Sequence, residues 1–229
     1  SESALPTVIG SAERQLQGLN GPNVADLSAA GFTGDVYAES GVINYSQQGA
    51  DGATPEPAGV FQESTGFPDA IIPGIPSGTV FLPDEPYIYT DNIAAEITTY
   101  LHFAEAGVYK LYFNSDDGFR TTTFSGANEV LDSAIMAQYD GDRGASDTVV
   151  TIYVPTAGYY PFRSLWFEGG GGANLEWSAE QDLPTNTDRE LINYSSGTSL
   201  KAYQSRTSVG PAVVTFTDPF RTSGNPYMP

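Results

Sequence analysis

Asp116-Asp117-Gly118 sets two adjacent carboxylates where the chain turns. Like charges side by side call for solvation or for a cation. In an ordinary hairpin tip, one aspartate bonds a backbone N–H and the other faces water. The alternative is a calcium site, because calcium takes about six to eight oxygen ligands at about 2.3–2.6 Å. Consecutive side chains of an extended chain diverge. For both carboxylates to reach one ion the backbone must depart from the ordinary, as a cis peptide does.

Gly169 to Gly172 form a four-glycine run between two strand-like segments. A tight hairpin with positive φ angles is one reading. The other is a loop that bares backbone carbonyls to an ion or ligand. The run lacks the Lys and Ser/Thr of a phosphate loop. Asp140-Gly141-Asp142-Arg143-Gly144 reads as a solvated acidic turn, with a second calcium site as the alternative. His102 is the only histidine and falls on the polar side of a strand, so it reads as a surface or edge residue. No Gly-x-Ser-x-Gly elbow accompanies it, and a zinc site would need partners it lacks. Among 28 acidic residues no pair stands out as glycosidase carboxylates. Trp166 and Trp177 alternate in step with apolar neighbours and read as core.

Strands must position these groups. Ile97, Thr99, Leu101 and Phe103 alternate with Thr98, Tyr100 and His102, the mark of a half-buried strand. Tyr109 to Phe113, Phe119 to Phe124, Val149 to Val154, Tyr159 to Phe167 and Leu175 to Trp177 follow, with turn residues between them. Pro161 suggests an edge strand or a strand start. Neighbours are expected to pair as a meander in an antiparallel sandwich or barrel. Before residue 93, two short strands are expected around Gly41 within 35–45, and an extended piece over Thr79 to Leu82. Weak helical turns are expected near Ser11, as a cap, and over Asp26 to Ala30. Residues 180–229 read as an extension packed on the same domain, with candidate strands at Leu200 to Tyr203 and Val213 to Phe216. Ile43-Asn44-Tyr45-Ser46 recurs as Ile192-Asn193-Tyr194-Ser195, either by coincidence or as two strands that pack together.

The 229 residues suffice for one large domain and a sizeable core. Forty per cent are hydrophobic, which excludes a disordered chain, and 28 aromatics with 41 Gly and Pro favour an all-β protein with long loops. The net charge is -19 with only two lysines, Lys110 and Lys201. Such a surface repels nucleic acid and anionic membranes and attracts cations. The absence of cysteine excludes disulfides, thiolate metal sites and a Cys nucleophile. No apolar run approaches the roughly 20 residues of a membrane span. No basic-then-apolar leader is visible, and the ends at Ser1 and Pro229 read as cuts from a longer chain.

Gly107-Val-Tyr-Lys-Leu-Tyr-Phe-Asn-Ser-Asp-Asp-Gly-Phe-Arg120 resembles the core signature of the PA-fourteen domain family, in which a Gly-x-Tyr-x-Phe strand runs into Ser-Asp-Asp-Gly. Val149 to Val154, then Ala157-Gly158-Tyr159-Tyr160-Pro161, resembles that family's next strand pair. Phe167-Glu168-Gly169 to Ala173, then Leu175-Glu176-Trp177, looks like its closing segment. The matches come in family order over about residues 90–178. The resemblance implies a β-sandwich over 1–179. It also implies a place among fungal flocculins and epithelial adhesins, bacterial surface adhesins, some glycosidases and toxin subunits. In the lectin-like members the paired Asp, joined by a cis peptide, holds calcium, and the ion accepts vicinal hydroxyls of a sugar. Carried over by residue, this implies Asp116, Asp117, Glu168, Gly170 and Gly171 as calcium ligands, with Ser115, Gly172 and Asn174 beside the sugar. Glu168 and glycine carbonyls stand where the fungal lectins use an Asn side chain.

The expectation is therefore a calcium-dependent carbohydrate-binding adhesion module of a secreted or cell-surface bacterial protein, with glycans as partners and no enzymatic activity. The rival readings are a protein-interaction β-sandwich without a sugar site, and a glycosidase or an accessory piece of one.

Overall fold

The computed structural model describes residues 6–20, 23, 25–49, 53–75, 91–123, 134–181 and 188–204. Thr79 to Leu82, Phe124 and Val213 to Phe216 lie outside the described residues. The elements in chain order begin with helix α1 (Ile9–Leu16) and the short strands β1 (Phe32–Thr33), β2 (Val36–Tyr37), β3 (Asn44–Ser46) and β4 (Ala70–Ile71). The long strands follow: β5 (Ile93–Phe103), β6 (Gly107–Asp116), β7 (Phe119–Thr123), β8 (Ile135–Tyr139), β9 (Ser146–Val154), β10 (Gly158–Glu168) and β11 (Asn174–Gln181). Two short strands, β12 (Glu190–Leu191) and β13 (Lys201–Tyr203), close the described chain.

The long strands form two sheets. One has the order β13-β5-β10-β7-β8; the other runs β4-β3-β11-β6-β9, with β12 paired to β11. All pairs are antiparallel except β3 with β4. The architecture is an all-β open sandwich, not a closed barrel. Leu101, Phe103, Phe162 and Trp166 from the first sheet face Leu111, Phe113, Leu175 and Trp177 from the second in one core. Phe113 stacks across the sandwich on Phe119 at 5.2 Å and meets its neighbour in the same sheet, Trp177, edge-on at 5.5 Å. Both tryptophans are core residues, as their alternation implies.

The meander does not form. β5 and β6 belong to different sheets, as do β6 and β7, β9 and β10, and β10 and β11. Each of these strands carries one strongly apolar face. A short corner that sends the next strand to the opposite sheet aims both faces at the shared core. Asp117-Gly118 and Gly169 to Ala173 are therefore corners between sheets, not hairpin tips. Of the four glycines only Gly171 has a positive φ, at 107°.

Other expectations are corrected in detail. Ser11 lies inside α1, not at its cap. Val8 holds the N-cap position, and the Ile9 N–H donates to Asp140 Oδ1 at 2.7 Å. Asp26 to Ala30 are turns. β2 pairs with β1 and β3 with β11, so the two strands around Gly41 do not meet each other. Pro161 sits in a central strand. It faces Tyr100 of β5, while β7 pairs only with residues 162–166, so no β7 carbonyl needs its missing N–H. His102 is half-buried and stacked on Tyr159 at 4.3 Å. The second copy of the Ile-Asn-Tyr-Ser repeat is a turn with Asn193 at φ 69°, its Nδ2 donating to Gly41 O. β12 and β13 add residues of the 180–229 segment to both sheets. Among the described residues no helix is long and apolar enough to cross a membrane.

α1 lies on the outer face of the five-stranded sheet. Ile9 and Ala12, one helical turn apart, bury against Leu165 and Phe167. Arg163, almost wholly buried, bonds Glu13 through two guanidinium nitrogens and also pairs with Glu96. The helix thereby fixes the end of β10 from which the glycine run departs.

Candidate metal centre

β6 ends at Asp116, and the Asp116-Asp117 peptide is cis. The surrounding chain holds the backbone of this corner from every side. Trp166 Nε1 donates to Asp116 O at 3.1 Å, and the Asp117 N–H donates to Phe167 O at 3.2 Å. Ser115 Oγ donates to Asp117 O at 2.7 Å. Arg143 reaches in from the loop between β8 and β9. Its Nε–H donates to Ser115 O and Asp117 O, Nη2 to Ser115 Oγ and Nη1 to Thr148 Oγ1. The guanidinium lies over the Tyr139 ring at 4.5 Å.

With the backbone fixed, the carboxylates converge. One oxygen each of Asp116, Asp117 and Glu168 lies within 4.8 Å of the others. Two oxygens on one calcium ion can stand no more than about 5 Å apart, so this spacing suits a shared ion. Among the described residues it is the only group of three or more acidic or histidine donors so arranged. Asp117 is buried and oriented by two backbone donors, the Arg143 N–H at 2.8 Å and the Gly169 N–H at 2.9 Å.

Glu168 differs. It is fully buried, and neither carboxylate oxygen has a hydrogen-bond partner. A buried polar atom left unpaired is costly, and a charged one more so. Burial first, then the charges of Asp117 and Asp116, push the Glu168 carboxyl up to about 9; the nearby Gly170 N–H opposes the shift. Burial and the Asp117 charge raise Asp116 to about 7. In the absence of a cation these shifts favour protonated carboxyls, which a divalent ion would displace. The donor set is all oxygen, which fits a hard cation such as calcium.

The glycine run forms the outer wall. Gly170, Gly171 and Gly172 are exposed. A Cβ on Gly172 would stand 3.1 Å from Asp116 Oδ2, so glycine permits this close approach. Asn174 is the register partner of Asp116 on the adjacent strand, and it is buried. Its Nδ2 donates to Tyr45 O, which leaves Oδ1 without a partner. Ser115 is also close by, but its hydroxyl is engaged by Asp117 O and Arg143. The structure thus gathers Asp116, Asp117 and Glu168 around one point, with Gly172 against Asp116 and Asn174 on the adjacent strand. Ser115 belongs to the supporting frame.

Two residues escaped the sequence reading. Asp91 Oδ1 accepts the Gly171 N–H at 3.1 Å and steadies the exposed loop; nothing in its local sequence marks it. Arg143 was visible inside the acidic 140–144 turn, where its own basic charge was the available clue. That turn serves the site from behind, through Arg143, and serves α1 through Asp140.

Residues 82–193 match the family model described as PA14 domain. No curated protein matches the chain. Among solved structures, the PA14 domain of the MpAFP antifreeze protein shares 19% identity over 41% of this chain and 46% of its own, with a TM-score of 0.34. The A domain of epithelial adhesin 9 from Candida glabrata, in complex with Galb1-3GlcNAc, shares 18% identity over 46% of this chain and 53% of its own, with a TM-score of 0.35. The PA14 sugar-binding domain from an RTX adhesin shares 16% identity over 76% of this chain and 88% of its own, with a TM-score of 0.38. The chain spans about half the length of the first two. These likenesses are too distant to transfer a ligand.

Proposed function

Because residues 82–193 match the PA14 domain model, we propose that the chain is a calcium-dependent carbohydrate-binding module of a secreted or cell-surface adhesion protein. The observation that carries this reading is Glu168: a buried carboxylate with two unpartnered oxygens, set against Asp116 and Asp117. The Arg143 and Gly169 N–H groups hold the Asp117 carboxylate in place, which reduces the ordering cost of binding. Asp116 and Glu168 supply further charge. The carbonyls of the exposed Gly170 and Gly171 and the unpartnered Asn174 Oδ1 are proposed as the neutral oxygen ligands.

A bound calcium ion would supply open coordination positions that two vicinal hydroxyls of a sugar can fill in place of water. The exposed Gly170 to Gly172 edge leaves room on that side for a hydroxyl-rich ligand. Such a site is open and wet, so affinity for one sugar is expected to be weak, and multiple copies on a surface would strengthen attachment by avidity. The absence of a nucleophile motif in the sequence favours binding over turnover.

Removal of either aspartate tests the reading. Asp116→Asn and Asp117→Asn each replace a charge with a near-isosteric amide. Each is expected to weaken calcium binding by at least 100-fold in calorimetry and to abolish glycan binding, while circular dichroism keeps the β-sheet spectrum. Calcium affinity unchanged in both folded variants would sink the proposal.

A further inference from the structure

A second set of oxygens lies on the outer face of the six-stranded sheet. Asn44 of β3, Glu176 of β11, Asn114 of β6 and Asp147 of β9 are successive register partners across four adjacent strands. In-register neighbours stand with their Cα atoms about 4.5–5.5 Å apart and their side chains on one face. Asp69, one residue before β4, continues the row: Tyr45 pairs with Ala70, so Asn44 lies alongside Asp69.

Residues 58–69 cover this row. The Val60 and Phe61 N–H groups donate to the Glu176 carboxylate at 2.9–3.0 Å. Asn44 Nδ2 faces three carbonyls of the same loop, those of Phe61, Phe67 and Pro68. Gly59, at φ +72°, presses so closely on Glu176 that a Cβ there would stand 2.2 Å from Oε1. Arg189 closes one side, over the rings of Phe61 and Tyr112.

The enclosed oxygens are not satisfied. Asn44, Asn114 and Asp69 are each at least nine-tenths buried, and Oδ1 of each has no hydrogen-bond partner. The amide orientations are set by their nitrogens. Asn114 Nδ2 donates to Asp147 Oδ1 on the side away from β11, which turns its Oδ1 toward the Glu176 side. The three loop carbonyls fix Asn44 Nδ2 in the same way. Charge is unbalanced as well. Arg189 is committed to Asp147 and Ser178. Among the described residues neither Glu176 nor Asp69 has an ion-pair partner. Two buried carboxylates beside two bare amide oxygens make an all-oxygen donor set, and burial pushes both carboxyls up, Glu176 to about 7 and Asp69 to about 6.

We propose that this chamber is a second cation site, for a hard divalent ion of the calcium class, centred on the Glu176 carboxylate and flanked by Asn44 Oδ1 and Asn114 Oδ1, with the Asp69 carboxylate adding charge from beyond Asn44. Its role is to fasten residues 58–69 to the sheet. A buried water could bond the amide oxygens but would leave the carboxylates to be neutralised by protons, which a divalent ion would displace. The site shares no residue with the Asp116–Asp117–Glu168 centre, and the two rows lie two residues apart along their strands, about 7 Å.

Native mass spectrometry and calcium calorimetry on the full chain count the ions. Two calcium ions per wild-type chain are expected, and one in the Asp116→Asn/Asp117→Asn double variant. Glu176→Gln keeps an acceptor for the Val60 and Phe61 N–H groups; it should retain the first ion and bind the second at least tenfold more weakly. Asp69→Asn, in the covering loop, should do the same and serves if Glu176→Gln does not fold. One ion per wild-type chain, or two at unchanged affinity in the folded variants, overturns the proposal. Because the double variant isolates this site, loss of glycan binding leaves the count unaffected.

Discussion

At the scale of single residues, Glu168 links burial to ion chemistry. Its carboxyl is pushed up to about 9 and that of Asp116 to about 7, both above their unfolded values. The ion-free native state therefore holds protons that the unfolded chain has already released. Its stability should fall as pH rises from the ordinary carboxylate range toward 9. A cation that takes the site must expel those protons, so calcium binding at pH 7 should release roughly one to two protons per ion. Calorimetry in buffers of different ionisation enthalpy measures this directly; a binding heat that is independent of buffer would contradict it. The paired aspartates and the glycines were legible because their types and adjacency are unusual in themselves. The loss of partners at Glu168 was not, since it arises only when β10 and β6 end at the same corner. Asp91 was illegible for the same reason: its bond to Gly171 spans 80 residues.

At the scale of elements, the corner between β6 and β7 decides the geometry of the site. Gly118 sits where a Cβ would come within 2.4 Å of the Phe167 ring and 2.8 Å of Tyr139 O. Gly118→Ala should therefore destabilise the protein by about 1–3 kcal/mol through overpacking, and should weaken cation binding along with it. Urea unfolding of the ion-free protein reads the first effect; an unchanged midpoint would show that the corner relaxes freely. Alternation of apolar residues located β5, β6, β9, β10 and β11 because each has one buried face. It could not say which sheet each strand joins, since a two-faced sandwich offers the same environment to strands of either sheet. β8 went unseen because Ala137 is its only buried residue.

At the scale of the whole molecule, the centre stands where the two sheets' corners, α1 and the 140–145 turn meet. A net charge of -19 surrounds it and favours cations over polyanions. The sandwich supplies rigidity through its shared aromatic core, and the exposed glycine edge supplies access. We propose that this edge presents an ion to sugars. It is tested most directly by a glycan array probed with the full chain in millimolar calcium and again in excess EDTA. The expected result is binding to a restricted set of glycans that disappears with EDTA and returns when calcium is restored. Binding that persists undiminished in EDTA, or no glycan binding in either buffer, would contradict it.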